Sequence, residues 1–314
     1  MLGMKGNRVL VTGGAGFIGS ALVNSLRRET KVRVLDARPG DDIPDDVEVI
    51  AGDVRNPEVV NRAVAGIDVV FHEAALVSVE ESIERPVESH SINVTGTLNV
   101  LEAARDHDAR VVVASSAAIY GDPETVPVAE SAPLDPQSPY GVDKLAADKY
   151  TRLYNDLYGL ETVALRYFNV YGPGQSGDYA GVIDVFTERA RSGDPLPIHG
   201  DGEQTRDFVH VADVVEANRR AATTDAVGEA FNVGTGESVS VQEVATLIRR
   251  FTDSESPIVH ESPREGDVEH SRADLTRARE ILEYEPSIDF ATGLESLLDT
   301  TDRKSRPRAP RTEN

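Results

Sequence analysis

The 314-residue chain has no cysteine, no tryptophan, two methionines and only five lysines (Lys5, Lys31, Lys144, Lys149, Lys304). Without cysteine there can be no disulfides, thiolate nucleophiles, iron–sulfur clusters or cysteine-bearing zinc sites, and the redox compartment cannot be inferred from thiols. The seven histidines are scattered and none falls in a His-Glu-x-x-His pattern, which argues against a dedicated metal site. No apolar run approaches the roughly 18 residues of a membrane span, and the N-terminal residues run almost at once into a glycine-rich turn rather than a signal-peptide core. The expectation is a cytoplasmic protein with no membrane segment.

Basic charge is scarce as well: 32 Lys and Arg face 54 Asp and Glu, a net charge of -22. Such a chain repels nucleic acid. Self-repulsion of this size destabilises a compact state unless salt screens it, so the acid-rich, lysine-poor composition predicts a halophilic protein.

What is present is a regular alternation. Val-rich runs at Arg8–Val11, Val32–Leu35, Glu48–Ala51, Asp68–His72, Arg110–Ala114 and Thr162–Arg166 read as buried strands. Phe17–Arg28, Pro57–Ala65, Val87–His107 and Ser138–Tyr158 read as the helices between them. This predicts an α/β fold with a parallel sheet covered on both faces. Past residue 170 the rhythm breaks into loop-rich stretches, with later helices near Val241–Arg250 and Ala273–Glu283, so a smaller, less regular domain is expected. From Asp302 on, five basic side chains and two prolines suggest a disordered tail. The stretch Gly121–Pro139 carries five prolines without periodicity, which marks a functional or disordered loop. It closes on Ser138-Pro139, a capping residue and a first-turn proline, so a helix should begin there.

The first strand runs into Thr12-Gly13-Gly14-Ala15-Gly16-Phe17-Ile18-Gly19 and then a helix. Glycines allow the tight turn and the close approach of a pyrophosphate to the helix N-terminus. The string alone is a weak signal; its context strengthens it. Asp36 ends the second strand 20 residues after Gly16, where an acid would bind an adenine ribose and repel a 2′-phosphate, favouring NAD, although the neighbouring Arg38 leaves NADP open. Asp53 and Val54 follow the third strand, at the edge where adenine would lie.

Tyr140 and Lys144 stand at i and i+4 on the helix that begins at Pro139, and Ser116 ends the fifth strand at the same sheet edge. A hydroxyl undergoing oxidation must lose its proton as hydride leaves. Tyrosine at its ordinary pKa of about 10 is too weak a base, but a neighbouring lysine and a cationic nicotinamide would lower it. Ser116 would hydrogen-bond the reacting oxygen.

These residues, in this order, resemble the extended short-chain dehydrogenase/reductase family. Phe71–Ser78, Asn93–Thr97, Ser115–Gly121, Leu165–Pro173, Arg206–His210 and Arg264–Asp267 are similar to its nucleotide-sugar 4-epimerases, over roughly residues 6 to 300. The resemblance implies a Rossmann-type doubly wound sheet over residues 1–169, with a returning segment near 208–235, and a UDP-sugar domain over 170–301, ahead of the tail at 302–314. It implies NAD as cofactor, with Gly13, Gly16, Phe17, Ile18 and Gly19 at the pyrophosphate, Asp36, Asp53 and Val54 at the adenosine, and Ala74 and Ala75 beside the cofactor. Ser116, Tyr140 and Lys144 match the catalytic group. Ser78 would lie near the sugar, Asn169 near sugar or phosphate, and Arg206 and Arg264 at the diphosphate. Forked arginine donors suit a phosphate that must approach so acidic a protein. The family also implies a homodimer, paired through Val87–His107 and Ser138–Tyr158.

Dehydratase relatives carry Thr-Asp-Glu around the serine and decarboxylases an acid beside it; here Ala117 and Ala118 follow Ser116, which disfavours both. Val77 replaces a lysine that some epimerases present near the cofactor. Ser271 falls where the family gates an N-acetyl pocket, and a small residue there implies UDP-N-acetylglucosamine as substrate, with UDP-glucose also accepted. The alternatives are a UDP-glucose-only or UDP-uronate 4-epimerase and, from a different class, a non-catalytic NAD-binding protein.

Overall fold

The computed structural model describes residues 4–40, 42–175, 181–264 and 268–305. Seven parallel strands form the central sheet: β1 (Arg8–Thr12), β2 (Lys31–Asp36), β3 (Glu48–Ala51), β4 (Val69–His72), β5 (Arg110–Ser116), β6 (Thr162–Tyr167) and, from much later in the chain, β11 (Glu229–Val233). Their order is β3-β2-β1-β4-β5-β6-β11. The order reverses between β1 and β4, which opens a crevice at the strands' C-terminal ends.

The helices over the sheet are α1 (Phe17–Leu26), α2 (Pro57–Val64), α3 (Val79–Glu84), α4 (Pro86–His90), α5 (Gly96–His107), α6 (Pro139–Tyr158) and α8 (Val211–Ala221). Alternate residues of the buried strands point to opposite faces. Val9, Val11, Phe71 and Val112 join one apolar core; Leu10, Val70, Val111 and Val113 join the other. The strand assignments made from sequence hold to within a residue or two, and α6 begins at Pro139 with the Ser138 hydroxyl accepting the Gly141 N–H.

Three expectations need correction. The single helix expected over Val87–His107 is divided into α4, a π-turn over Ser91–Thr95, and α5. Asn93, in that π-turn, is buried and exchanges hydrogen bonds with the backbone of Leu76 on both sides (2.8 and 2.9 Å), so tertiary bonding overrides helical periodicity. The helix expected from Ala273 starts later, as α10 (Thr276–Leu282), because Ala273 forms a bridge with Val128. That same bridge, with Val128 N–H donating to Arg272 O at 2.7 Å, shows the proline-rich stretch to be ordered. Lastly, α11 (Phe290–Ser305) continues past Asp302, where the tail was expected to start, while residues 306–314 lie outside the described residues.

The remaining elements are β7 (Asn169–Tyr171), α7 (Val182–Ser192), β8 (Leu196–His199), β9 (Thr205–Arg206), β10 (Phe208–His210), β12 (Val239–Ser240), α9 (Val241–Phe251) and β13 (Ile258–Glu261). They build a third core around Phe186, Leu196, Val244 and Leu294. Among the described residues no helix is long and apolar enough to cross a membrane.

Candidate active site

A cleft of ≈ 700 Å³ follows the crevice from β3 to α7. At one end is the glycine turn. Gly13 has φ +69°, a left-handed conformation, and a Cβ there would stand 2.7 Å from the Ala74 backbone nitrogen. A Cβ on Gly19 would come 2.1 Å from the Gly13 carbonyl oxygen. Only glycine lets the turn close this tightly under α1, whose first turn carries no acidic residue that would oppose an anion. Asp36 braces the turn: its carboxylate accepts N–H bonds from Ala15 (3.0 Å) and Arg38 (2.8 Å). The Asp53 carboxylate is held by Arg55, which keeps it below the usual range, and Val54 packs against Gly96.

Behind the turn, a buried histidine fixes the floor. Thr97 Oγ1 donates to Asn93 O (2.6 Å), so it accepts from His72 Nε2 (3.0 Å). His72 Nδ1 is then the acceptor for Thr12 Oγ1 (2.7 Å), which in turn receives the Ala74 N–H (3.3 Å). The ring is neutral, as burial and then the charge of Lys144 require; together they push its pKa down to about 3.

At the other end stand Ser116, Tyr140 and Lys144, all lining the cleft. Ser116 Oγ accepts the Ala118 N–H (3.1 Å), and its hydroxyl is close enough to the Tyr140 phenol to favour the phenolate. Tyr140 sits in the first turn of α6, at the positive end of its dipole, with its own N–H donated to the buried Ser82 hydroxyl (3.1 Å). Lys144 is buried, its Nζ donating to Ala114 O (2.8 Å) and lying 5.9 Å from the centre of the Tyr140 ring. Burial lowers its pKa to about 8, against the opposing pull of Glu73 and Asp143. The expected lowering of the Tyr140 pKa does not come from the protein's own groups: burial raises it, and Ser116 works the other way.

Of the residues expected from sequence, Gly13, Gly16, Phe17, Ile18, Gly19, Asp36, Asp53, Val54, Ala74, Ala75, Ser116, Tyr140, Lys144 and Asn169 line this one cleft. Val77 lines it too. Ser78 does not; its hydroxyl caps α3 by accepting the Glu81 N–H (3.1 Å). Arg206, Arg264 and Ser271 also stand outside the lining, and Glu265, Gly266 and Asp267 lie outside the described residues. Arg206 and Ser271 share an acceptor, since the Thr205 carbonyl accepts both the Arg206 guanidinium (2.8 Å) and the Ser271 N–H (3.1 Å).

Sequence reasoning missed Asp207. Fully buried, it gathers N–H bonds from Thr235, Gly236 and Ala273 (2.7–3.0 Å), and so ties the Arg206 corner to the segment carrying Ser271. It also missed Tyr167 and gave Glu73 no role, and both line the cleft with Ser116, Tyr140 and Lys144. An acid ending a buried strand beside small residues was the available signal.

Many known proteins are similar to this chain in sequence and in fold. The family model for NAD-dependent epimerases and dehydratases matches residues 9–234. A putative UDP-glucose 4-epimerase of Methanocaldococcus jannaschii is 39% identical over 95% of this chain and 99% of its own. The UDP-glucose 4-epimerase of Thermotoga maritima, solved with UDP-glucose, superposes with a TM-score of 0.91 at 35% identity, covering 95% of this chain and all of that one. The UDP-N-acetylglucosamine 4-epimerase of Methanobrevibacter ruminantium, solved with UDP-N-acetylmuramic acid, gives 0.90 at 32%, over 96% and 100%. With the glycine turn, the acid at the end of β2 and the Ser-Tyr-Lys group in one cleft, the chain belongs to the NAD-dependent epimerase/dehydratase family.

Proposed function

We propose that the protein inverts C4 of a UDP-sugar, interconverting UDP-N-acetylglucosamine with UDP-N-acetylgalactosamine and also accepting UDP-glucose. The observation that carries this reading is the grouping of Ser116, Tyr140 and Lys144 at one end of the cleft, with Ala117 and Ala118 where an eliminating enzyme needs acids. Among the residues lining the cleft, the glycine turn, Asp36, Asp53 and Val54 would hold the adenosine and pyrophosphate of NAD, and Ala74 and Ala75 would lie beside it. When bound, NAD⁺ supplies a hydride acceptor and donor for C4.

Tyr140 as phenolate takes the proton of the 4-hydroxyl, and Ser116 donates a hydrogen bond to the same oxygen. Lys144 places positive charge where the phenolate forms, as does the α6 N-terminus. A 4-keto sugar turned over in the cleft would offer its other face, and Tyr140 would give the proton back to the 4-oxygen. Net redox change is zero, so the enzyme needs no external reductant. Incubating the purified protein in molar KCl without added cofactor should convert UDP-N-acetylglucosamine to its C4 epimer, followed by chromatography; no turnover of it or of UDP-glucose, even with NAD added, contradicts the proposal.

The acetamido preference rests on Ser271, supported by its contact with the Arg206 corner. Ser271→Tyr is expected to abolish turnover of the acetamido sugar while sparing UDP-glucose, read as kcat/KM for each. Equal loss of both would remove the gate.

A homodimer is supported by apolar side chains left in water on neighbouring helices. Val142, Tyr150, Leu153 and Leu157 lie exposed along α6, beside Ile83 of α3 and Val87 of α4, which is 83% exposed. The double variant Leu153→Glu, Leu157→Glu should sediment as a monomer where the unaltered protein sediments as a dimer. Net charge supports the halophilic reading, and the melting temperature should rise between low and molar KCl.

A further inference from the structure

Glu73 follows β4 directly, its N–H donating to the Thr12 carbonyl (3.2 Å), which sets it between the glycine turn and the reacting end of the cleft. Asn218 Nδ2 donates to both Val214 O (2.9 Å) and the Tyr167 hydroxyl oxygen (2.7 Å). A carbonyl can only accept, so the amide nitrogen must face this way, and the Tyr167 proton is left to point at Glu73 Oε1 (2.9 Å). Glu73 is thereby fixed as an acceptor. Three acidic residues line the cleft among the described residues; Asp36 and Asp53 stand at the β2 and β3 ends, and Glu73 alone stands with Ser116, Tyr140 and Lys144.

This matters because a nicotinamide ring is a cation when oxidised and neutral when reduced. Each fixed charge near it therefore shifts the balance between the two forms. Lys144 alone favours the neutral, reduced ring; a carboxylate opposes it. Resting on the cofactor reading above, we propose that Glu73, oriented by Tyr167 and Asn218, holds the bound cofactor toward its oxidised form, so that hydride lent by the sugar is returned rather than stranded.

The groups that act on Glu73 are the Tyr167 hydroxyl and the Lys144 ammonium. Burial raises the Glu73 carboxyl to about 7, against the pull of Tyr167 and Lys144. Lys144 titrates at about 8, His72 at about 3, and burial lifts Tyr140 and Tyr167 above their usual value. Glu73 is thus the group that gains negative charge as pH rises through neutrality.

The test equilibrates the protein with mixed pools of NAD⁺ and NADH and reads the bound reduced fraction by fluorescence. Glu73→Gln is expected to shift preference toward NADH by at least about fivefold, as removal of one nearby charge in a partly buried site would, with Glu73→Asp restoring most of it. The unaltered protein should favour NAD⁺ increasingly as pH rises from about 6 to about 7, below the Lys144 value of about 8, and Glu73→Gln should show a smaller rise, the remainder being loss of charge from Lys144. An unchanged ratio in Glu73→Gln, even with both affinities weakened, overturns the inference. Should that variant not fold, a flat pH series for the unaltered protein overturns it alone. Failure of the unaltered protein to bind either form would instead refute the cofactor site, and this inference with it.

Discussion

Replacing Tyr140 by phenylalanine should lower kcat for C4 inversion about 10³-fold, within the range that general acid–base groups supply. The protein should still bind NAD, because the ring keeps its place in the first turn of α6, held there through its own backbone N–H on Ser82. The loss should fall on kcat rather than KM, since the phenol works on the proton of the reacting hydroxyl and not on the diphosphate. Burial holds the Tyr140 phenol above its usual pKa. Ionisation must therefore come with the cationic cofactor, beside Lys144 and the helix N-terminus. A variant retaining more than about a tenth of kcat would remove Tyr140 as the base.

Arg166→Met should have the largest effect on stability, about 3 kcal/mol, the lower end of what breaking a buried ion pair costs. Arg166 is 2% exposed on β6 and pairs with Asp148 of α6, itself fully buried, at 2.9 Å. The same carboxylate accepts from Ser115 at the end of β5 (3.0 Å) and from Arg152 (3.1 Å), so it joins the strand bearing Ser116 to the helix bearing Tyr140. Arg152 remains in the variant, which is why the lower figure applies. Burial would raise the Asp148 carboxyl, but the hydrogen bonds and charge of Arg166 outweigh it and hold it low. In the unaltered protein this contribution is complete above the unfolded value of about 3.9 and is lost only as pH falls through the lower folded value. Without Arg166 the balance moves toward burial and the folded pKa rises, so the variant's deficit should narrow as pH falls. Urea unfolding at two pH values reads both effects, and a deficit under about 1 kcal/mol would show that the pair is dispensable.

How much of this was legible in the sequence follows from the range of the interactions. The glycine turn, the capped start of α6 and the Val-rich strands are local signals, and from them come the sheet and the glycine-turn end of the cleft. The π-turn at Ser91–Thr95 was hidden because its cause, the bond between Asn93 and Leu76, is tertiary. The two- to four-residue strands of the second half carry too few residues for a period to register. Ser78 looked like a sugar contact and caps a helix, a role that serine fills as readily. Glu73 lay in plain view in its motif, but its chemistry comes from Tyr167, 94 residues away, and from Asn218 beyond it.

The central claim is that hydride leaves C4 and returns to the same carbon. UDP-glucose carrying deuterium at C4, incubated with the purified protein and analysed by mass spectrometry and NMR, tests it most directly. The account predicts inverted product with the label still at C4 and none in water. Inverted product that has lost its C4 label to solvent would contradict hydride transfer and, with it, the roles assigned to NAD, Tyr140 and Lys144.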